Sequence, residues 1–427
     1  MKKLDLKSYK GTRDLYPQDM RLRQYIFDTW AQVCESFGYE KYDAPIIEPV
    51  DIYSAKSGEE LVSEQTYAFT DRGDRKVAIR PEMTPSISRM VASKRQELPY
   101  PARLYSVANF MRYERPQSGR EREFWQLNFD LFGSDDIYAD IEIICLSNEI
   151  MRSFGAKPEM YTILVNDRRL TNYIMREYLG LDEAKAQAMM KLFDRKNKIS
   201  DEDFTAQVAE ISDGIVDKVE KLVRCEKIND LPDNLGDIHY ASEVEQLLIS
   251  LRKRGITNVK YDATLMRGLD YYTGIVFEVY DNSPDNNRSM FGGGRYDGLV
   301  GMFGVADLPV VGVAQGETTT MNFLRAWNLI PELKTATDIY LIPLGIDDAS
   351  YVAEKLRNVG INVAVELGNR KVDKAIKTAD KLGVPYVLFV GENELQSGKY
   401  NLKNLSTGDE QALTIDEIID LITNEKF

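Results

Sequence analysis

From residue 338 to its end the chain alternates between short apolar runs and stretches with helical spacing. No other feature of the sequence constrains the fold as tightly. DIYLIPL reads as a strand, ASYVAEKLRNVG as a helix, INVAVEL as a strand and RKVDKAIKTADKLG as a helix. PYVLFVG and KYNLKNL read as two further strands, and IDEIIDLI as a final helix. Strand–helix–strand order predicts a largely parallel sheet covered by helices, an α/β domain over residues 338–427.

The chain ahead of it has a different pattern. Residues 18–37 place Leu22, Ile26, Trp30, Val33 and Phe37 at helical spacing, and Gly38 supplies a stop. YEKYDAPIIEPVDIY is extended, because Pro45 and Pro49 forbid a helix. Between residues 66 and 133, KVAIRPEM, ARLYSVANFMRYER and FWQLNFDLFG alternate with polar loops, the mark of an antiparallel sheet with helices between its strands. From 167 to 255 long polar helical runs dominate. One is ASEVEQLLISLRKRG, with Val244, Leu247, Leu248 and Leu251 on one side, and the stretch reads as an inserted helical module. Strand character returns at 258–265 and 274–280, before FGGGRYDG and LPVVGVAQG. The expected organisation is an α+β domain over 1–166 and 257–325, a helical insertion over 167–256, a linker over 326–337 and the α/β domain over 338–427.

A length of 427 residues suits two or three such domains. With 54 Lys+Arg against 68 Asp+Glu the net charge is −14, which argues against indiscriminate nucleic-acid binding and leaves room for a local basic face. No stretch approaches the roughly 20 apolar residues of a membrane span. MKKLDLKSYKGTRD has no apolar core after its lysines, so no signal peptide is expected and cytoplasm is the default. Cys34, Cys145 and Cys225 are far apart and no CxxC occurs, which disfavours a disulfide framework or a thiolate metal site. The single histidine, His239, excludes any histidine-cluster metal site and any Ser/His triad not built on it.

Four segments look chemical. In RYERPQSGREREFWQ, Arg112, Arg115, Arg120 and Arg122 surround a loop forced by Pro116 and Gly119. Arg112 and Glu114 are part of a charge alternation along a strand, which aims one guanidinium into a site. Guanidinium groups suit polyphosphate, since they bind oxygens in pairs and stay charged. The competing reading is a solvated charged hairpin, and four arginines without a lysine weigh against it. In MRGLDYYTG an arginine and paired tyrosines stand at the mouth of a strand, where they can pin a small polar aromatic ligand. Spacing alone fits an ordinary turn with one buried tyrosine slightly better. In RPEMT, Glu82 and Thr84 share a side if the chain is extended and can hold an ammonium group. Gln126 and Asp130 share a strand face opposite Leu127, Phe129 and Leu131, and polar groups on a packed strand need partners. The run Gly292–Gly294 lacks the strand–loop–helix setting of a dinucleotide site and reads as close backbone approach under a ligand or as a tight turn. Arg370, Lys374, Lys377 and Lys381 form a basic stripe, either a solvated face or a contact for a phosphate backbone.

Together these segments resemble the histidyl-tRNA synthetase family over essentially the whole chain. KGTRDLYP resembles the family's opening. SFGYEKYDAP resembles class II motif 1, FMRYERPQSGREREFWQ motif 2, and RGLDYYTG and GGGRYDGL the two histidine-specific motifs. Residues 338–427 are similar to its α/β anticodon-binding domain. The resemblance implies that histidine and ATP form histidyl-adenylate, and that the histidyl group then passes to tRNA(His). It implies a homodimer through motif 1, and Mg²⁺ on the pyrophosphate part of ATP, with no metal ligand from the protein. Arg112 and Arg267 are implied as catalytic. Glu82, Thr84, Gln126, Asp130, Tyr271, Tyr272 and Tyr296, with both arginines, are implied to hold histidine. Glu114, Arg120 and Arg122 join Arg112 around ATP. Gln117 in the motif 2 loop meets the tRNA acceptor end, and the basic stripe meets tRNA through the C-terminal domain. The chain departs from the family at motif 3, where Gly312-Val-Ala-Gln-Gly316-Glu-Thr-Thr places Thr319 where an arginine grips ATP. Two readings compete with an active synthetase: a non-catalytic regulatory paralogue and a tRNA-sensing module.

Overall fold

The computed structural model describes residues 4–54, 65–114, 121–196, 199–233, 235–266, 272–284, 289–346, 349–368 and 370–426. They fall into two compact units, 1–330 and 331–427.

The first unit begins with α1 (Pro17–Ser36), whose Leu22, Ile26, Trp30 and Val33 are buried as the spacing predicts. Next come β1 (Glu40–Lys41), β2 (Ile47–Pro49), α2 (Asp51–Ser54), β3 (Tyr67–Thr70), β4 (Lys76–Ile79) and α3 (Thr84–Ser93). The long hairpin strands β5 (Ala102–Met111) and β6 (Glu123–Phe132) lead to α4 (Ile137–Ser153) and β7 (Tyr161–Asp167). The helical stretch contains α5 (Arg168–Tyr173), α6 (Glu183–Asp194), α7 (Asp201–Ser212), α8 (Val216–Val223) and α9 (His239–Lys253). β8 (Val259–Tyr261), β9 (Ile275–Asp281), β10 (Ser289–Arg295), β11 (Val310–Gly316) and α10 (Glu317–Ala326) close the unit.

Eight strands form one sheet in the order β1-β5-β6-β11-β10-β9-β7-β8. Its centre is antiparallel, and β1 and β8 at the two edges pair in parallel. A small sheet, β2-β4-β3, stands apart. Strand alternation gives β6 two unlike faces. Trp125 and Phe129 turn towards the first helix and the chain after it, in ring contact with Phe27 and Tyr39. Phe124, Gln126, Asn128 and Asp130 take the other face, which Met83 and, on α3, Ile87 cover only in part. Within the helical stretch, α9 packs against α4, β7 and β8 and so belongs to the sheet's own layer. His239 is exposed at its start, with Nε2 3.0 Å from Glu243.

The second unit holds β12 (Ile339–Leu344), α11 (Ser350–Arg357), β13 (Val363–Val365), α12 (Val372–Lys381), β14 (Tyr386–Gly391) and α13 (Glu392–Ser397). It ends in β15 (Tyr400–Asn404), β16 (Glu410–Leu413) and α14 (Ile415–Lys426). The sheet order is β13-β12-β14-β15-β16, parallel through the first three strands and antiparallel beyond. Two apolar clusters cover its faces.

Candidate active site

The floor of the site follows from strand register. Gln126, Asn128 and Asp130 on β6 pair with Gly316, Ala314 and Gly312 on β11. Ala314 and Gly312 pair in turn with Gly292 and Gly294 on β10. A sheet face floored by glycine and alanine leaves a trough, and the polar side chains of β6 form its wall. The glycines are structurally required. A Cβ on Gly312 would run into the Asp130 carboxylate and lie 3.0 Å from the Tyr296 hydroxyl. A Cβ on Gly294 would lie 3.1 Å from the Tyr272 ring and 2.6 Å from the Ile275 carbonyl. Of the two readings open for 292–294, close backbone approach is the one realised, within a strand.

Asp130 sits at one end of this trough, 2% exposed, and accepts a hydrogen bond from the Tyr296 hydroxyl. Burial pushes its carboxyl up to about 7, and the Tyr296 bond pulls the other way. Its second oxygen has no partner, nor do Gln126 Oε1, Asn128 Oδ1 and the Ser106 hydroxyl. The Tyr42 hydroxyl, also unpartnered, is held well above its usual range by burial and then by the nearby Asp130 charge. Tyr272 and Tyr296 pack in one apolar cluster with Ile87 and Leu299. The ensemble is a polar, aromatic-walled socket with several hydrogen-bonding atoms aimed at nothing in the protein, suited to a small polar ring.

Glu82 and Thr84 are buried, each 9% exposed. Thr84 is the first residue of α3 rather than part of an extended chain, because Pro85 fits the first turn of a helix and leaves no intrahelical donor missing. Arg112 extends beyond β5. Its Nε donates to the Pro81 carbonyl at 2.8 Å, its guanidinium lies over the Phe124 ring, and Nη1 is 3.9 Å from Glu114. These contacts hold the guanidinium in one place next to the Glu82 segment.

Arg122 is placed differently. It is 8% exposed, donates to the Tyr9 hydroxyl at 3.0 Å and the Glu114 carbonyl at 3.2 Å, and lies over the Tyr113 ring. These contacts tie the N-terminal segment to the hairpin. Gln117, Arg120, Arg267 and Tyr271 lie outside the described residues. At motif 3, the Thr319 hydroxyl donates to the Gly316 and Met290 carbonyls, each at 3.0 Å. Two N-terminal arginines converge on this corner, which sequence reasoning missed. Arg13 reaches Glu121, Glu317 and Thr318, and Arg23 reaches Glu317 at 3.3 Å. Asn128 was also missed, although its place between Gln126 and Asp130 on one strand face was readable from period two. Arg295 of the GGGRYDG segment is structural, buried against Asp140 at 2.5 Å and donating to the Ser134 carbonyl.

In the second unit, Lys374, Lys377 and Lys381 are exposed on α12, opposite buried Ala375 and Ala379. Arg370 precedes the helix and bonds to the Thr378 hydroxyl at 3.4 Å. No described helix is long and apolar enough to cross a membrane.

Comparison with known proteins matches residues 11–316 to the histidyl-tRNA synthetase family model and residues 338–425 to the anticodon binding domain model. The histidine–tRNA ligase of Leptospira biflexa is 38% identical, over 99% of this chain and 98% of its own length. That of Thermococcus kodakarensis is 35% identical, over 98% of each. The crystal structure of histidyl-tRNA synthetase from Nostoc sp. PCC 7120 shares the fold, with a TM-score of 0.84 at 22% identity, over 99% of this chain and all of that one.

Proposed function

The chain belongs to the histidyl-tRNA synthetase family, and we propose that it is an ATP-dependent ligase that activates histidine and transfers it to tRNA(His). The observation that carries this reading is the trough beside β6, where buried Asp130 and the unpartnered oxygens of Gln126 and Asn128 await a polar ring. The substrate carboxylate attacks the α-phosphorus of ATP in line and pyrophosphate leaves. The terminal ribose hydroxyl of the tRNA then attacks the acyl carbon and AMP leaves. Glu82 and Thr84 take the ammonium group. Asp130 accepts from an imidazole N–H, with Tyr271, Tyr272 and Tyr296 around the ring and Gln126 beside it. Arg112, anchored on Pro81 and Phe124, meets charge as it builds on the α-phosphate without reorganising, and Arg267 shares that role.

Glu114, Arg120 and Arg122 border ATP, with Arg122 acting through the fold of the hairpin. Mg²⁺ arrives on the phosphates, as is usual for this ion. Gln117 faces the acceptor end, and Arg370, Lys374, Lys377 and Lys381 face tRNA through its backbone. The enzyme acts in the cytoplasm as a homodimer. Ile46, Ile47 and Phe69, each 45–47% exposed on or beside the small sheet, give the motif 1 region an apolar face that supports association. The working division keeps the sheet domain, a helical insertion over 167–256 whose last helix, α9, packs back on the sheet domain, the 326–337 linker and the anticodon-binding domain. The regulatory and tRNA-sensing readings are not favoured, since ligases match over nearly the whole chain. Charging of tRNA(His) with labelled histidine tests the proposal. Histidine ester-linked to that tRNA is the expected product, and histidine-independent or absent charging overturns it.

A further inference from the structure

β6 presents a third polar group between the two that the sequence singled out. Asn128 is 2% exposed, and its Oδ1 has no hydrogen-bond partner. Its neighbours across the sheet are Ser106 on β5, whose buried hydroxyl is also unpartnered, and Ala314 on β11. Ala314 pairs with Gly292. On the β11 and β10 side of Asn128, then, the two facing positions carry nothing larger than a methyl group, and Glu278 on β9 borders them beyond Gly292. Leaving a buried carbonyl oxygen unpaired costs about 1–3 kcal/mol, and folded proteins carry few of them. Alternation along the strand places Asn128 roughly 7 Å from each neighbour on its face, Gln126 on one side and Asp130 on the other. It thus stands within the row assigned to the bound amino acid. An unpaired acceptor there calls for a donor on the ligand.

We propose that Asn128 is a further specificity-determining residue, whose side-chain oxygen accepts a hydrogen bond from an N–H of the bound histidine. The inference rests on the function proposed above. A side chain without that N–H leaves the oxygen buried and unpaired, and sites that penalise a wrong ligand in this way discriminate strongly.

The test is Asn128→Leu, close in size and unable to accept, with Asn128→Ala as a second variant should the first fail to fold. Histidine-dependent ATP–pyrophosphate exchange and thermal unfolding are measured on the full chain. The KM for histidine should rise at least tenfold, with the KM for ATP within twofold of wild type. The unfolding temperature should stay level or rise, because the change removes a buried unpaired group. Inhibition by imidazolepropionate, which lacks the ammonium group, identifies the donor. Weaker inhibition of the variant assigns the imidazole N–H, and equal inhibition assigns the ammonium. A histidine KM within twofold of wild type overturns the proposal. So does a parallel rise in both KM values with a lower unfolding temperature, which marks a structural residue. Wild-type protein without histidine-dependent exchange overturns the parent reading and this one together, whereas an active wild type with an indifferent variant overturns this one alone.

Discussion

The two units treat buried polar groups in opposite ways. In the second, the Tyr340 hydroxyl donates to Glu366 at 2.9 Å and the Gly368 amide donates to the same carboxylate at 2.9 Å. Among the described residues, every buried side-chain nitrogen or oxygen without a partner lies in the first unit, and Ser106, Gln126, Asn128 and Asp130 gather on one stretch of sheet. A domain that meets its partner on its surface can complete its hydrogen bonds internally. A domain that encloses a small polar substrate must leave some of them open.

That contrast can be broken in several places. The largest effect is expected at a buried ion pair of the first unit, Arg295 with Asp140. Arg295→Ala strands the Asp140 carboxylate and should cost about 3–5 kcal/mol in urea unfolding. The loss should shrink below pH 6, because burial already holds Asp140 up to about 6. A loss under 1 kcal/mol would make the pair dispensable. Arg112→Ala should lower adenylation by roughly 10²–10³-fold and cost only about 1 kcal/mol of stability, the worth of its bond to the Pro81 carbonyl. A loss of stability as large as that at Arg295 would move it into the scaffold.

Asp130→Asn tests the open end of the trough. The folded carboxyl titrates near 7 against an ordinary value of 3.8, so the native state binds this proton more tightly than the unfolded chain. Ionised Asp130 therefore lowers stability progressively as pH rises from about 4 through 7. The variant should exceed wild type by about 2 kcal/mol at pH 8 and by nothing at pH 4, while losing histidine affinity. An equal gap at both values would refute the burial argument. Reversing charge at Lys374 and Lys377 together should weaken tRNA binding by about tenfold at low salt and leave tRNA-free adenylation within twofold. Unchanged tRNA affinity would make the stripe a solvated face. Last, Tyr340→Phe should cost the second unit about 1 kcal/mol, the ordinary value of one satisfied bond.

Much of this was legible in the sequence, for local reasons. The steps between Leu22, Ile26, Trp30 and Val33 fixed one face of α1, and alternation along FWQLNFDLFG fixed the face of Gln126 and Asp130. β16 was missed because Glu410–Leu413 is mostly exposed and carries no apolar alternation. Thr84 departs from the extended chain that RPEMT suggests because Pro85 starts a helix there. The roles of Arg122 and Arg295 depend on Tyr9, Tyr113 and Asp140, which are close only after folding. Long-range partners of this kind leave no local spacing to read. The same holds for Arg13 and Arg23, which lie about 300 residues from Glu317 along the chain.

Amino-acid-dependent ATP–pyrophosphate exchange without tRNA, run across the twenty amino acids, tests the central claim most directly. Exchange with histidine alone is the predicted result, and it would show that Thr319 at the motif 3 position does not disable ATP handling. No exchange with any amino acid, from folded protein that still binds histidine, would contradict the account and leave the trough a sensor of histidine rather than its activator.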